Sequence, residues 1–349
     1  MTELVKIATR GLYKIFGRNP SRYIELVRDG VGKQELMAKY NHVLALSDMN
    51  LDIPANRIFV VMGLSGSGKS VLIRHFNRIV EPTLGSVEID GRDVLALDQG
   101  ELRDLRRKHI SMVFQRVALM PHRTALENVA YGLSVRGVPA TEAHAQAVDW
   151  IRRVDMAGYE DYFPAQMSGG MQQRIGIARA LATEAEILLM DEPYSALDPL
   201  IRTDMQDMLL RLQGELKRTI VFITHDLDEA LRLGDGIAIL RDGEVVQQGD
   251  PQSIVTTPSN DFVGEFVRDI DRGKVIKVGS IMSPLNGARS EVKLTDDTLL
   301  EDALVTLAQD GARAARVVDS AGKGVGFVEL SDVVAAMRPP DVAEIQPSK

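Results

Sequence analysis

The residues Gly63-Leu64-Ser65-Gly66-Ser67-Gly68-Lys69-Ser70 fit the pattern G-x-x-x-x-G-K-[ST] and stand between an apolar run and a helical stretch. No other feature of the chain narrows its fold as much. Strand, glycine-rich turn and helix in that order make the phosphate-binding corner of an open, largely parallel α/β sheet. The glycines let the backbone turn its N–H groups inward as an anion nest, and the helix adds the positive end of its dipole. On this reading Gly63, Ser65, Gly66, Ser67, Gly68 and Val71 belong to the phosphate-binding segment. Lys69 reaches the β- and γ-phosphates, and the Ser70 hydroxyl takes a Mg2+ position.

The chain up to about residue 234 alternates apolar runs with amphipathic helices, as an α/β domain does. Strands are expected at 57–62, 110–114, 186–190 and 219–224. Helices are expected from the phosphate loop to 80, and at 141–156, 175–182 and 199–217. The second of these puts Trp150, Ile151 and Val154 on one face. Further on, 237–240 and 244–247 flank Arg-Asp-Gly, which predicts a hairpin, and Asp250-Pro251 predicts a helix start. The expected organisation is one domain over 1–267, a charged linker at 268–277, a small module at 278–338 and a disordered tail at 339–349.

The run ending Met190-Asp191-Glu192 supplies the other half of a nucleotide site. Its apolar length fits a strand buried on both faces, and Asp191 falls at the strand's carboxyl end, where α/β sheets bind ligands. There Asp191 can hold Mg2+ through water, and Glu192 can orient and deprotonate an attacking water.

Composition removes competing chemistries. The absence of cysteine excludes disulfides, iron–sulfur clusters, cysteine-ligated zinc and a thiol nucleophile. The 41 basic and 49 acidic residues give a net charge of −8, which argues against nucleic acid as a partner. No run approaches the roughly 18–20 apolar residues of a membrane span, and the opening MTELVKIATRGLYKIFG lacks the apolar core of a secretory signal. The expected protein is soluble and acts at a membrane only through a partner.

One segment names a family. Met167-Ser168-Gly169-Gly170-Met171-Gln172-Gln173-Arg174 opens a helix with a second anion-binding turn, which a single phosphate loop does not need. With it, the sequence resembles the nucleotide-binding subunits of ABC transporters, in which two subunits sandwich two ATP molecules, each phosphate loop facing the partner's signature motif. The resemblance covers about residues 4–257. It implies a P-loop NTPase of the ABC type, a RecA-like core with a β-subdomain and a helical subdomain, acting as an ATPase with ATP and Mg2+. It implies the signature motif for Ser168, Gly169 and Gly170, and the D-loop for Asp198 in Ser195-Ala196-Leu197-Asp198. Gln115 matches the glutamine that watches Mg2+ and the transmembrane partner, so the implied Mg2+ set is Ser70, Gln115 and Asp191. His225 matches the switch histidine on the γ-phosphate, with Glu192 and Lys69 as its catalytic companions. Phe16, in preference to Tyr13, matches the aromatic that stacks on adenine. Met167 and Met171 stand where the family has Leu and Gln.

Tyr13-Lys14-Ile15-Phe16-Gly17, an insertion over 18–42, and Ala118-Leu119-Met120-Pro121-His122 are similar to the glycine betaine/proline betaine importer ATPases. That likeness implies a homodimer on the cytoplasmic face of the bacterial plasma membrane. Its partners would be transmembrane permease subunits and, indirectly, a periplasmic or extracellular substrate-binding protein. Importers of choline, amino acids or taurine are the alternative, and a DNA-maintenance ATPase a more remote one. The 97 residues between Ser70 and Ser168 carry no coiled coil or zinc insertion of the DNA-maintenance kind. The 278–338 module resembles a single α+β CBS motif, with Asp332 at the ribose-binding position and Glu329 where a Thr is usual. A carboxylate there repels phosphate, so the module reads as a dimerising appendage, with a ligand or ionic-strength sensor as the alternative.

Overall fold

The apolar runs lie side by side as the centre of a six-stranded sheet. The computed structural model describes residues 4–285 and 290–338. Strands of the first part are β1 (Val5–Phe16), β2 (Val43–Pro54), β3 (Ile58–Gly63), β4 (Leu84–Ile89) and β5 (Arg92–Asp93), then β6 (Ile110–Val113), β7 (Ile187–Asp191), β8 (Thr219–Thr224), β9 (Gly236–Arg241) and β10 (Glu244–Gly249). The larger sheet has the order β10-β9-β3-β8-β7-β6, with β3 parallel to β8 and β9, and β7 parallel to β8 and β6. Every residue of β3, β7 and β8 is buried, which is why these segments read as unbroken apolar runs rather than alternating ones. Asp242 and Gly243 join β9 to β10 with φ of 51° and 92°, the paired positive values of a type I′ hairpin turn.

Register does the positioning. Met62 pairs with Thr224, Ile223 with Asp191, and Val113 with Met190. Gly63, His225, Glu192 and Phe114 therefore leave the sheet along one carboxyl edge, the edge at which open α/β sheets bind ligands.

A second sheet, antiparallel with the order β2-β1-β4-β5, was foreseen only as the resemblance's β-subdomain. Its Ile7, Leu12, Leu46, Met49 and Ile53 share one core with Phe59, Val61, Ile187 and Leu189 of the larger sheet. Leu72, Ile73 and Phe76 of the helix Lys69–Phe76 lie in the same core, so the helix after the phosphate loop is clamped by both sheets. The helical part consists of Ala125–Val135, Ala140–Arg153 and Gly169–Ala182. The expected face of the middle helix is buried, with Ile151 and Val154 at 0% exposure and Trp150 at 7%.

The insertion at 18–42 is not a bare loop. A turn at Pro20–Tyr23 leads to the short helices Ile24–Arg28 and Lys33–Tyr40. These bury Ile24, Val27 and Leu36 against Tyr13, Ile15 and Leu44 in a satellite core. The His42 ring closes the base, with Nδ1 2.6 Å from the Tyr40 carbonyl and Nε2 2.9 Å from that of Arg18. Gly17 is required beside it, because a Cβ there would come within 2.1 Å of that ring.

The chain divides into two units, one of residues 1–226 with 233–246, the other of 227–232 with the chain from 247 onward. The second holds the helices Pro251–Thr256, Asp261–Val267, Leu300–Gln309 and Leu330–Ala336 around β11 (Lys293–Thr295), β12 (Ala314–Val318) and β13 (Gly324–Glu329). β12 lies between a parallel β11 and an antiparallel β13. This division falls earlier than the boundary expected at 267, and the segment expected as a linker is packed. It forms the turn Arg272–Lys274 and buries Gly273 and Ile276, while the Arg272 guanidinium donates to the carbonyls of Val255 (3.1 Å) and Ala336 (2.9 Å). Of its charged residues, Arg272 thus serves to satisfy backbone acceptors, while Arg268, Asp269, Asp271, Lys274 and Lys277 stay exposed. The tail at 339–349 lies outside the described residues. Among the described residues no helix is long and apolar enough to cross a membrane.

Candidate functional site

The phosphate loop forms because glycine is the residue that fits. Gly63, Gly66 and Gly68 have φ of 150°, 79° and 103°. A Cβ on Gly63 would lie 2.2 Å from the Leu240 carbonyl oxygen, and one on Gly68 would lie 2.6 Å from that of Ala45. Lys69 begins the helix at 4% exposure, and its Nζ donates to the carbonyls of Gly63 (2.7 Å) and Leu64 (3.1 Å). Burial lowers the Lys69 pKa below the ordinary lysine value, although Glu192 and Asp191 pull the other way.

At the end of β7, Asp191 is fully buried. Its Oδ1 accepts from Ser70 Oγ at 2.7 Å and its Oδ2 pairs with Arg74 at 3.1 Å. Glu192, with φ of 45°, holds a left-handed conformation that costs a non-glycine residue of order 1 kcal/mol. Three groups converge on its carboxylate: Lys69 Nζ 3.7 Å from Oε1, with Gln115 Nε2 at 3.1 Å and His225 Nδ1 at 3.4 Å from Oε2. Lys69, Ser70, Gln115, Asp191, Glu192 and His225 thus form one constellation assembled from four strand ends. Of the three residues expected around Mg2+, Ser70 and Asp191 bond each other, while Gln115 donates to Glu192.

The residues fit a nucleotide's phosphates and a hard cation. Ser67 Oγ is buried in the loop without a hydrogen-bond partner, a donor in want of an acceptor. Ser70 Oγ and Asp191 Oδ1 offer two oxygen ligands of the kind Mg2+ takes. Among the described residues no cluster of three or more His, Cys, Asp or Glu could hold a metal ion.

Ser168, Gly169 and Gly170 are not tied to this constellation by a hydrogen bond. Ser168 caps the helix Gly169–Ala182, its Oγ accepting from Met171 N–H at 3.3 Å. Asp198 caps Pro199–Leu216 in the same way, accepting from Ile201 N–H at 3.0 Å. The two caps are neighbours, since a Cβ on Gly170 would meet Ile201 Cγ2 at 2.9 Å. Ser168 and Gly169 lie exposed at the start of the first of these helices.

Comparison with known proteins places this geometry. Residues 46–195 match the ABC transporter family, a span that holds the phosphate loop, Gln115, the Ser168 turn and Asp191-Glu192. The ATP-binding protein ProV of the glycine betaine/proline betaine transport system of Salmonella typhimurium is 46% identical over 343 residues, 95% of this chain and 83% of that protein. The chain belongs to the ABC transporter ATP-binding proteins. The glycine betaine transport ATP-binding protein OpuAA of Bacillus subtilis is 44% identical, over 95% of this chain and 78% of its own length. Among solved structures, the dimeric ATP-binding cassette MJ0796 in a post-hydrolysis state with ADP and Pi aligns at a TM-score of 0.60 and 31% identity. That alignment covers 70% of this chain and 98% of the other.

In this ABC ATPase the two aromatic candidates separate by burial. Tyr13 is 8% exposed and locked in the satellite core, whereas Phe16 is 41% exposed with Lys14 Nζ 4.7 Å from its ring centroid. Of the two, Phe16 has the exposed ring. Met167 is buried at the position where the family has Leu, a like-for-like apolar fill. Val71 spends its N–H inside the helix, on the Gly68 carbonyl at 3.0 Å.

Sequence reading missed Arg74, although it lies four residues after Ser70 and so on the same helix face. It also missed Arg202, which donates to the Leu197 carbonyl at 3.3 Å and pairs with Asp226 at 3.0 Å, linking the residues beside Asp198 and His225. That pairing spans 24 positions and leaves no local signature.

The phosphate-loop helix carries one further titratable group. His75 is fully buried, its Nδ1 2.6 Å from the Val71 carbonyl and its Nε2 without a partner. Burial pushes its pKa down to about 4. The unfolded chain, with a histidine pKa of about 6.5, binds the proton first, so His75 favours the fold above that pH and the benefit fades as pH falls toward 4. The loss amounts to about 3 kcal/mol. His75→Leu is expected to flatten the change in urea midpoint between neutral and acid pH; an unchanged pH slope would refute the assignment.

Proposed function

We propose that this chain is the ATP-hydrolysing subunit of an importer for glycine betaine, proline betaine or a related quaternary amine. The observation that carries the reading is the convergence of Lys69, Gln115 and His225 on Glu192, beside the Ser70–Asp191 pair, at one sheet edge. The substrate class rests on relatives named for betaine transport that align along 95% of the chain.

Lys69 and the loop amides hold the phosphates, and Glu192 accepts a proton from the attacking water. Gln115 and His225 share Glu192 Oε2 and so fix the orientation of that carboxylate. Ser70 and Asp191, with Gln115 nearby, would hold Mg2+, which when bound offsets charge on the phosphate oxygens. Ser168, Gly169 and Gly170 serve the nucleotide of a second copy, which makes the working unit a homodimer; the likeness to a dimeric ATP-binding cassette supports this. Phe16 stacks on adenine.

Permease docking is supported by a cavity of about 540 Å³ lined by Phe114, Ala118, Met120, Tyr131, Gly132 and Arg179. The Arg179 guanidinium donates to the carbonyls of Val117 (2.9 Å) and Ala118 (2.8 Å), joining the helix that follows the Ser168 turn to the segment after Gln115. The ATPase is thereby held peripherally at the cytoplasmic face of the plasma membrane, and the substrate-binding protein acts on it only through the permease. The sheet and helices over 278–338 fit a CBS-like module that dimerises rather than binds nucleotide. Its Glu329 carboxylate stays beside Ser331, accepting from Oγ at 3.3 Å.

Reconstitution in liposomes with the cognate permease and binding protein tests the reading. Enclosed Mg-ATP is expected to drive uptake of labelled glycine betaine, and Glu192→Gln to stop it. ATP-driven uptake of an unrelated solute with no quaternary amine transported would overturn the substrate class.

A further inference from the structure

The insertion touches the phosphate loop at one point. Lys33, the first residue of the helix Lys33–Tyr40, donates from Nζ to the Gly66 carbonyl at 2.8 Å. The other end of that peptide group is also held, because Ser67 N–H donates to the Leu64 carbonyl at 3.1 Å. Leu64 O in turn accepts from Lys69 Nζ at 3.1 Å. A continuous hydrogen-bonded path therefore runs from Lys33, through the Gly66–Ser67 peptide, to the lysine at the heart of the site. The next carbonyl along, that of Ser67, accepts from Gly243 N–H at 3.1 Å, and Gly243 O accepts from Ser47 N–H at 2.9 Å. Two successive peptides of the loop are thus braced from outside it.

We propose that Lys33 is a positioning residue for nucleotide binding, through which the insertion holds the phosphate loop in its binding shape before ATP arrives. The inference rests on the ATPase reading above and adds to it a residue that lies outside the phosphate-loop pattern. An anion nest works by aiming N–H groups at the ligand, and the glycines that permit this also cost the most backbone entropy to order. A cation fixed on an outward carbonyl contributes part of that ordering in advance, which raises affinity without adding a contact to the ligand. Lys33 is itself well fixed. Leu36, three residues on, is fully buried in the satellite core, and His42 closes the insertion's base against Arg18. Gly66, by contrast, is exposed with φ of 79°, and a Cβ on it would find only Lys33 Nζ, at 4.0 Å.

The test compares the full chain with Lys33→Met and Lys33→Arg, measuring the equilibrium Kd of fluorescent ADP, the KM and kcat for ATP, and the thermal midpoint without nucleotide. Lys33→Met is expected to raise Kd and KM roughly five- to tenfold, the scale of one charge-assisted hydrogen bond at a partly exposed site. Turnover at saturation and the thermal midpoint should stay close to the parent values, and Lys33→Arg should recover most of the affinity. Wild-type ADP affinity in Lys33→Met would overturn the proposal. So would a loss of affinity that tracks a lowered thermal midpoint and is not rescued by arginine, since the residue would then serve only the insertion's fold. Failure of the unsubstituted chain to bind ADP would instead overturn the ATPase reading itself.

Discussion

Glu192→Gln is expected to lower steady-state ATP hydrolysis by roughly 10²–10⁴-fold, the contribution of a positioned general base. The substitution keeps the shape of the side chain and an oxygen for Gln115 and His225 to approach, so the sheet edge should stay assembled. It removes the basicity needed to take the water's proton and the charge facing Lys69 at 3.7 Å. ATP should still bind, and because hydrolysis no longer separates the subunits, the variant should accumulate as an ATP-bound dimer. Phosphate release and size-exclusion chromatography with ATP read the two effects separately. Normal turnover in the variant would overturn the role of Glu192. A slow variant that stays monomeric with ATP would keep the base and remove the sandwich.

Lys69→Met is expected to act one step earlier, on binding. Each charge-assisted hydrogen bond contributes about 1.5–3 kcal/mol, so losing the phosphate contact should weaken ATP binding roughly 10- to 150-fold. The same change frees the carbonyls of Gly63 and Leu64, which accept from Nζ at 2.7 and 3.1 Å, and leaves Glu192 without its cation. The loop should therefore loosen even without ligand, which amide exchange would register. Titration with a fluorescent nucleotide checks the binding term, and parent-like affinity would remove Lys69 from the site. Glu192→Gln and Lys69→Met thus separate chemistry from capture: the first traps nucleotide, the second fails to hold it.

The two sheets differed in how plainly the sequence announced them. Five of the six strands of the larger sheet flank one another in parallel, and those buried on both faces leave continuous apolar runs such as Ile-Phe-Val-Val-Met in β3. β1 shows no such run. It mixes buried and exposed positions, pairs with two antiparallel neighbours and shifts register between Thr9 and Leu12, so neither strict alternation nor an unbroken run marks it. The candidate site was legible for a related reason. The phosphate loop, the Ser168 turn and Asp191-Glu192 are short contiguous patterns, and each has a chemical meaning that does not depend on what it meets. Arg74 and Lys33 have none alone; they acquire a role from Asp191, 117 positions away, and from Gly66, 33 positions away.

The sequence by itself determined the phosphate-binding α/β architecture, the phosphate loop with Asp191-Glu192, and the family, because glycine conformations, helix caps and doubly buried strands are local demands written in adjacent residues. Gln115 and His225 were legible only through the family resemblance. Only the tertiary structure decided which of the two aromatics is exposed, since the burial of Tyr13 depends on Leu36 and Leu44 closing over it from the insertion and β2. It also decided that the expected linker at 268–277 forms a turn and buries Gly273 and Ile276, and that the insertion reaches the phosphate loop. Those outcomes turn on which groups strand register and core packing bring together across long stretches of chain, and no short run of residues encodes that.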